Sequence, residues 1–171
     1  MSELGYIPKE LCFDDEARTK LINGITKLSK AVKSTLGPRG QTVLIESTDH
    51  LQGMTVTKDG VTVARSIDLN DAVENLAVRM MKQASEKTAS VAGDGTTTAI
   101  VLTEALVKAG MEHISPDHNK TEVIRFIQDL SEKVIARLEK KSKKITKSRL
   151  LDVATISANN DKELGKIIAS A

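Results

Sequence analysis

The feature that most constrains the fold is a corner at residues 91 to 98 that opens directly into an apolar run. Val91-Ala92-Gly93-Asp94-Gly95-Thr96-Thr97-Thr98 places a carboxylate between two glycines and three hydroxyls behind it. Ala99-Ile100-Val101-Leu102 then continues toward Leu106-Val107 with little polar interruption. This predicts a tight turn leading into a helix from about Thr97 to Ala109, apolar nearly all round and so centrally buried, with Gly110 as its stop. The glycines admit backbone angles closed to other residues and let an anion approach the main chain. A helix's first turn carries unpaired N–H groups and partial positive charge, which suits phosphate. Thr96, Thr97 and Thr98 add donors, and Asp94 is a hard oxygen ligand of the kind magnesium takes beside phosphates. The same residues also read as a plain turn followed by a threonine helix cap, and alone they leave both readings open.

Whatever packs on that helix must do so almost without aromatics. Tyr6, Phe13 and Phe126 make up only 2% of the chain, so the core is built from Leu, Ile, Val, Ala and Met, which favours helix on helix. The periodicity agrees. Leu21, Ile25, Leu28, Val32 and Leu36 form one stripe, entered at Phe13-Asp14-Asp15-Glu16 with Asp14 as a candidate cap and ended by Gly37-Pro38. Gly24 inside it marks a candidate close crossing. Asp68 to Ser90 is a second amphipathic helix, with Val73, Leu76, Ala77, Met80 and Ala84 on one side and Glu74 elsewhere. Asn119 or Asp117 caps a third, striped by Val123, Ile127, Leu130, Val134 and Leu138. Its basic end, Lys140 to Arg149, reads as a solvated terminus rather than a nucleic-acid patch, and a domain boundary is expected near residue 141. Leu150 to Ile156 and Asp161 to Ala171 are shorter helices around a Ser157-Ala158-Asn159-Asn160 turn. The last ends uncapped on its apolar face, which suggests a chain cut before its natural end.

One hairpin interrupts the helices. Thr42 to Glu46 and Met54 to Thr57 read as strands, with Val43 and Ile45 on one face and Ser47 to Gly53 as the tip. A two-stranded ribbon is marginal alone and needs a partner. Two further glycine corners flank it. Thr35-Leu36-Gly37-Pro38-Arg39-Gly40 is a rigid bend whose main chain can face a ligand, and equally an ordinary helix stop. Lys58-Asp59-Gly60 is first a turn signal. It also offers a cation for phosphate and a carboxylate to orient water, with Val61-Thr62-Val63 briefly extended after it.

Composition narrows the function. A net charge of +2 is too small to argue for nucleic acid. Cys12 is the lone cysteine, so no intramolecular disulfide forms, and a reducing, cytoplasmic setting is expected. The N-terminus lacks the regions of a secretory signal, and no apolar run reaches membrane-spanning length. His50, His113 and His118 do not have metal-ligand spacing.

Taken together, four stretches resemble the N-terminal signatures of the chaperonins: Thr35 to Gly40, Thr57 to Ala64, Ala92 to Ala99 and Ala154 to Asn159. The Lys58-Asp59-Gly60 and Thr155-Ile156-Ser157-Ala158-Asn159 forms are similar to the group I, GroEL-like branch. The resemblance runs from about Phe13 to Ala171. It implies a mainly α fold, a helical equatorial-domain bundle with a small β-hairpin, truncated. Residues 1 to 140 would be the N-terminal half of the equatorial, ATP-binding domain, and residues 141 to 171 the start of the intermediate domain. It implies an ATP-hydrolysing, ring-forming chaperone with ATP and magnesium as cofactors. Thr35, Leu36, Gly37 and Pro38 would line the nucleotide, and Lys58 would lie near phosphate. Asp94 would ligate magnesium, Gly95, Thr96, Thr97 and Thr98 would hold phosphate oxygens, and Asp59 would help polarise the attacking water. The hairpin would add to the sheet of a neighbouring subunit in a homo-oligomeric ring. The family's apical domain, which meets non-native client proteins and the co-chaperonin, lies beyond this sequence, as does the rest of the nucleotide pocket. The isolated fragment is therefore expected to bind ATP weakly and to hydrolyse it negligibly. No nucleic-acid or membrane partner is implied. The competing reading is an assembly module that does not bind nucleotide.

Overall fold

The computed structural model describes residues 10–37, 39–46, 53–115 and 117–171. The chain divides into two compact units, Met1–Ser115 and Pro116–Ala171. The described elements run α1 (Asp14–Lys33), β1 (Val43–Glu46), β2 (Met54–Thr57), α2 (Gly60–Ser66), α3 (Ala72–Ala92), α4 (Thr96–His113), α5 (Lys120–Lys141), α6 (Lys147–Ser157) and α7 (Lys162–Ser170). The expected mainly helical fold with one small hairpin is what forms. Among the described residues, no helix is long and apolar enough to cross a membrane.

In the first unit, α1 packs on α3 and α4, and α2 closes the layer. Ile25, Leu28 and Val32 of α1 meet Val63 and Ala64 of α2, Ala77, Val78 and Met81 of α3, and Ile100 of α4. Gly24 is the close crossing that the sequence raised: a Cβ there would fall 2.2 Å from the Glu74 carbonyl oxygen. Lysines tie the same helices together along their rims. Lys27 pairs with Glu74, and Lys20 with Asp71 at 3.1 Å. β1 and β2 pair antiparallel, Val43 with Thr57 and Leu44 with Val56. Val43 and Ile45 pack toward the core. On the opposite face Leu44, Met54 and Val56 are 65%, 71% and 63% exposed.

Several local expectations need correction, beginning with α1, which ends at Lys33 so that Leu36 lies outside the helix and is exposed rather than on its stripe. Val61-Thr62-Val63 is helical, not extended, because Asp59 caps α2 and tertiary burial of Val63 and Ala64 outweighs β-branched propensity. The inward face of α3 is Glu74, Ala77, Val78, Met81 and Ser85, while Leu76 and Met80 point outward. Lys27 makes this rotation tolerable by pairing with the buried Glu74. Helix α4 runs through Gly110 to His113, and Leu102 and Leu106 stay exposed, so it is not buried all round. Phe13, not Asp14, is the N-cap residue of α1, and no side chain caps that end.

In the second unit, Asn119 caps α5 through its side chain, accepting from Thr121 and Glu122 amides, and α5 has no buried residue. Helices α6 and α7 form a hairpin through Asn159 and Asn160, both left-handed, with Asp161 capping α7. Its closest approach is at Gly165, where a Cβ would fall 2.5 Å from Thr155 Oγ1. The boundary expected near residue 141 falls at the end of α5, and the compact units divide at 115/116.

Candidate functional site

The three glycine corners all lie in the first unit. The first begins where α1 runs out of helix. Thr35 and Leu36 amides still donate to Val32 and Lys33 carbonyls, each at 3.1 Å. Gly37, at φ +79°, then reverses the chain, and the Gln41 amide closes the loop onto the Ser34 carbonyl at 2.7 Å. Thr35 Oγ1 donates to the Val32 carbonyl at 2.8 Å, which leaves the hydroxyl's lone pairs outward. Leu36 is exposed. Pro38 lies outside the described residues.

The second corner leaves β2. Lys58 and Asp59 are exposed and Gly60 is buried. The Asp59 carboxylate caps α2: Oδ1 accepts from the Val61 amide at 3.2 Å, and Oδ2 accepts from the Thr62 amide at 3.0 Å and the Thr62 hydroxyl at 2.6 Å. Partial burial pushes its pKa up, but these bonds, aided by Arg65, outweigh burial and hold the carboxyl below its ordinary range. Asp59 is thus a fixed, ionised acceptor with room at Oδ1 for one more donor.

The third corner joins α3 to α4. Gly93 and Gly95 sit at φ +72° and +85°, with exposed Asp94 between them, and Asp94 Oδ1 accepts from the Gly95 amide at 2.6 Å. Helices α2, α3, α5 and α7 each begin at an Asp or Asn whose side chain accepts from first-turn amides. Helix α4 begins at Gly95, which has no side chain to do so. Helices α1 and α6 also lack a side-chain cap, so the open first turn leaves amides available to an outside acceptor without by itself marking a site. A Cβ on Gly93 would meet nothing within 4 Å, so the main chain there is open to a ligand. Thr96 is buried and its carbonyl accepts from Ser85 Oγ at 3.5 Å, which ties the corner to α3.

Gly60 brings the corners together. A Cβ built on it would fall 2.1 Å from Thr97 Oγ1 and 3.3 Å from Thr35 Oγ1. Two hydroxyls, one from each of the other corners, thus converge on a point kept clear by a missing side chain. In the sequence Gly60 stands only as part of a turn, and the Thr62 hydroxyl is not marked; Asp59 followed three residues later by Thr62 is its one local sign. Among the described residues, no group of three or more His, Cys, Asp or Glu side chains could hold a metal ion. A divalent cation at Asp94 would therefore depend on a ligand's own oxygens. The chemistry suits a polyphosphate: first-turn amides of α4 and the Thr97 hydroxyl as donors, and the Asp94 carboxylate for the counter-ion. An open groove of about 650 Å³, lined by Ala31, Val43, Ile45, Val63 and Ile67 among others, contains none of the predicted site residues.

Residues 28–171 match the TCP-1/cpn60 chaperonin family. Similar solved structures include three chaperonin crystal structures. Two are crystal forms of the chaperonin gp146 from bacteriophage EL 2 (Pseudomonas aeruginosa), both in the presence of ATP-BeFx. Each is 36% identical, with TM-scores of 0.79 and 0.77 over 91% and 92% of this chain. The third is a group III chaperonin in the open state, 26% identical with a TM-score of 0.73 over 91% of this chain. The chain spans 27%, 28% and 31% of the length of these three structures.

Proposed function

Because the chain belongs to the TCP-1/cpn60 chaperonin family, we propose that its three corners form the phosphate and magnesium part of an ATP site in a subunit that couples ATP hydrolysis to protein folding. The observation that carries this is the convergence of Thr35 and Thr97 hydroxyls on Gly60 beside an uncapped helix start. The first-turn amides and hydroxyls of Thr96, Thr97 and Thr98, with Gly95, would hold phosphate oxygens. Thr35, Leu36, Gly37 and Pro38 would line the nucleotide, Lys58 would add positive charge, and Asp94 would ligate magnesium. The bound metal would neutralise charge on the phosphates and orient them. Asp59 would orient water rather than take its proton. A carboxylate held below its ordinary range by its own cap bonds is a weak base and a well-placed acceptor.

The group I branch rests on the Lys58-Asp59-Gly60 and Thr155 to Asn159 forms. Ring assembly is supported by the two-stranded hairpin, each strand of which is a sheet edge suited to addition to another subunit's sheet, with Leu44, Met54 and Val56 as exposed apolar surface beside it. Client and co-chaperonin binding would belong to a part of the protein outside this chain. Calorimetry of the complete gene product with magnesium and ATP tests the site. Binding is expected, with loss in Asp94→Ala, and unchanged affinity and turnover in that variant would refute it. The same titration on the 171-residue chain separates this reading from a non-binding assembly module, whose support is the exposed hairpin face.

A further inference from the structure

Glu104 stands two helical turns along α4 from Thr97, on the same stripe of the helix, and is 4% exposed. Its carboxylate is divided between two lysines. Oε2 takes Lys33 Nζ from α1, and Oε1 takes Lys108 Nζ at 2.7 Å from the next turn of α4 itself. Burial pushes the carboxyl pKa up, but the two lysines outweigh it and keep Glu104 ionised. Lys33 is the last residue of α1, and its carbonyl accepts the Leu36 amide. The first corner therefore hangs from the residue that Glu104 holds. Beyond the apolar packing of α1 on Ile100, two polar features tie the end of α1 and its corner to α4: the Lys33–Glu104 ion pair, and the Thr35 and Thr97 hydroxyls that both approach Gly60.

We infer that Glu104 is a positioning residue for the proposed nucleotide site: by gripping Lys33 it fixes the Thr35–Gly37 corner against the first turn of α4. This rests on the reading of the three corners as that site. The two lysines are not equivalent. Lys108 lies on Glu104's own helix, so it balances the charge but cannot tether α1. Lys33 does both. The Lys33 and Lys108 side chains are 45% and 46% exposed, so either is free to turn to water when its partner is removed. The fold then loses little, while the corner loses its tie.

The test is magnesium-ATP titration and steady-state hydrolysis by the complete gene product. Glu104→Gln and Lys33→Met are each expected to weaken affinity about tenfold, the lower end of what losing a supporting shell costs. Turnover at saturating ATP should stay within about twofold, because the tie acts on binding and transition state alike. The double variant should be no weaker than either single, and Lys108→Met should stay within about twofold of the unsubstituted protein. Equal losses from Lys33→Met and Lys108→Met would overturn the inference, as would additive losses in the double variant. If Glu104→Gln does not fold, Lys33→Met at its half-exposed position carries the comparison. Asp94→Ala separates the two levels. Should it bind normally, the nucleotide reading fails and takes this inference with it. Should it lose binding while Lys33→Met and Glu104→Gln bind normally, only the positioning role fails.

Discussion

Replacing Gly60 by alanine tests the meeting point directly. The new Cβ would lie 2.1 Å from Thr97 Oγ1, with Thr97 Cβ and Thr35 Oγ1 at 3.3 Å. The two longer contacts yield by a few tenths of an ångström, but the short one lacks more than an ångström. Thr97 is β-branched and stiff at χ1, so either its hydroxyl rotates out of the corner or α2 backs away. Overpacking of this kind costs about 1–3 kcal/mol. Alanine's better helix propensity returns at most ~1 kcal/mol at this first helical position. A net loss of about 1–2 kcal/mol is expected in urea denaturation followed by circular dichroism. The displaced hydroxyl should also forfeit a charge-assisted hydrogen bond, about 1.5–3 kcal/mol, or roughly ten- to a hundredfold in ATP affinity. Thr97→Ala removes the short contact. The Gly60→Ala/Thr97→Ala pair should therefore recover stability but not affinity. If the pair is no more stable than Gly60→Ala alone, α2 and α4 do not meet there. If Gly60→Ala destabilises while ATP binding holds, the junction is structural and not a phosphate site.

Other variants test the frame around the site. Gly24→Ala should cost about 1–2 kcal/mol, because its Cβ meets the Glu74 main chain and no rotamer relieves it; an unchanged urea midpoint would refute the crossing. Ser29 is fully buried with its hydroxyl unpaired, so Ser29→Ala should be neutral or stabilising by up to ~1 kcal/mol, and a clear loss would reveal a partner. Asp59→Ala should cost about 1 kcal/mol near neutral pH through the lost α2 cap. The Asp59 carboxyl titrates below its ordinary range when folded, so its contribution is full above the unfolded value and fades as pH falls through the folded one. Wild type and variant should thus begin to converge only as pH falls below about 4, and a gap that widens in acid would contradict the assignment.

The helices were legible where spacing alone decides them. Leu21 to Val32 could form only one stripe, and Gly24 could sit inside it only at a close approach. The hairpin was legible because Val43 and Ile45 alternate. What escaped was set by partners distant in sequence. Nothing near Glu74 announces that Lys27, forty-seven residues earlier, will meet it, so periodicity alone places the inward face of α3 one residue off. Val61 to Val63 carries strand-like residues, and only a cap and a core contact make it helical. Within the site, each corner was visible by composition, but their convergence was not, because Gly60 acts by what it lacks. Glu104 was hidden for the same reason as Glu74: an acidic residue on an apolar helix looks outward until its lysine is known.

Asp94 is flanked by two glycines whose backbones turn in the mirror-image hand. The three positions will therefore fail for different causes in a saturation library. Sorted by protein abundance alone, positions 93 and 95 should thin out, since any side chain there strains the turn, while position 94 should tolerate most of the alphabet. Sorted by growth that demands activity, all three should thin together. The interval between the two maps at that one letter measures how much of the corner is kept for chemistry and how much for shape.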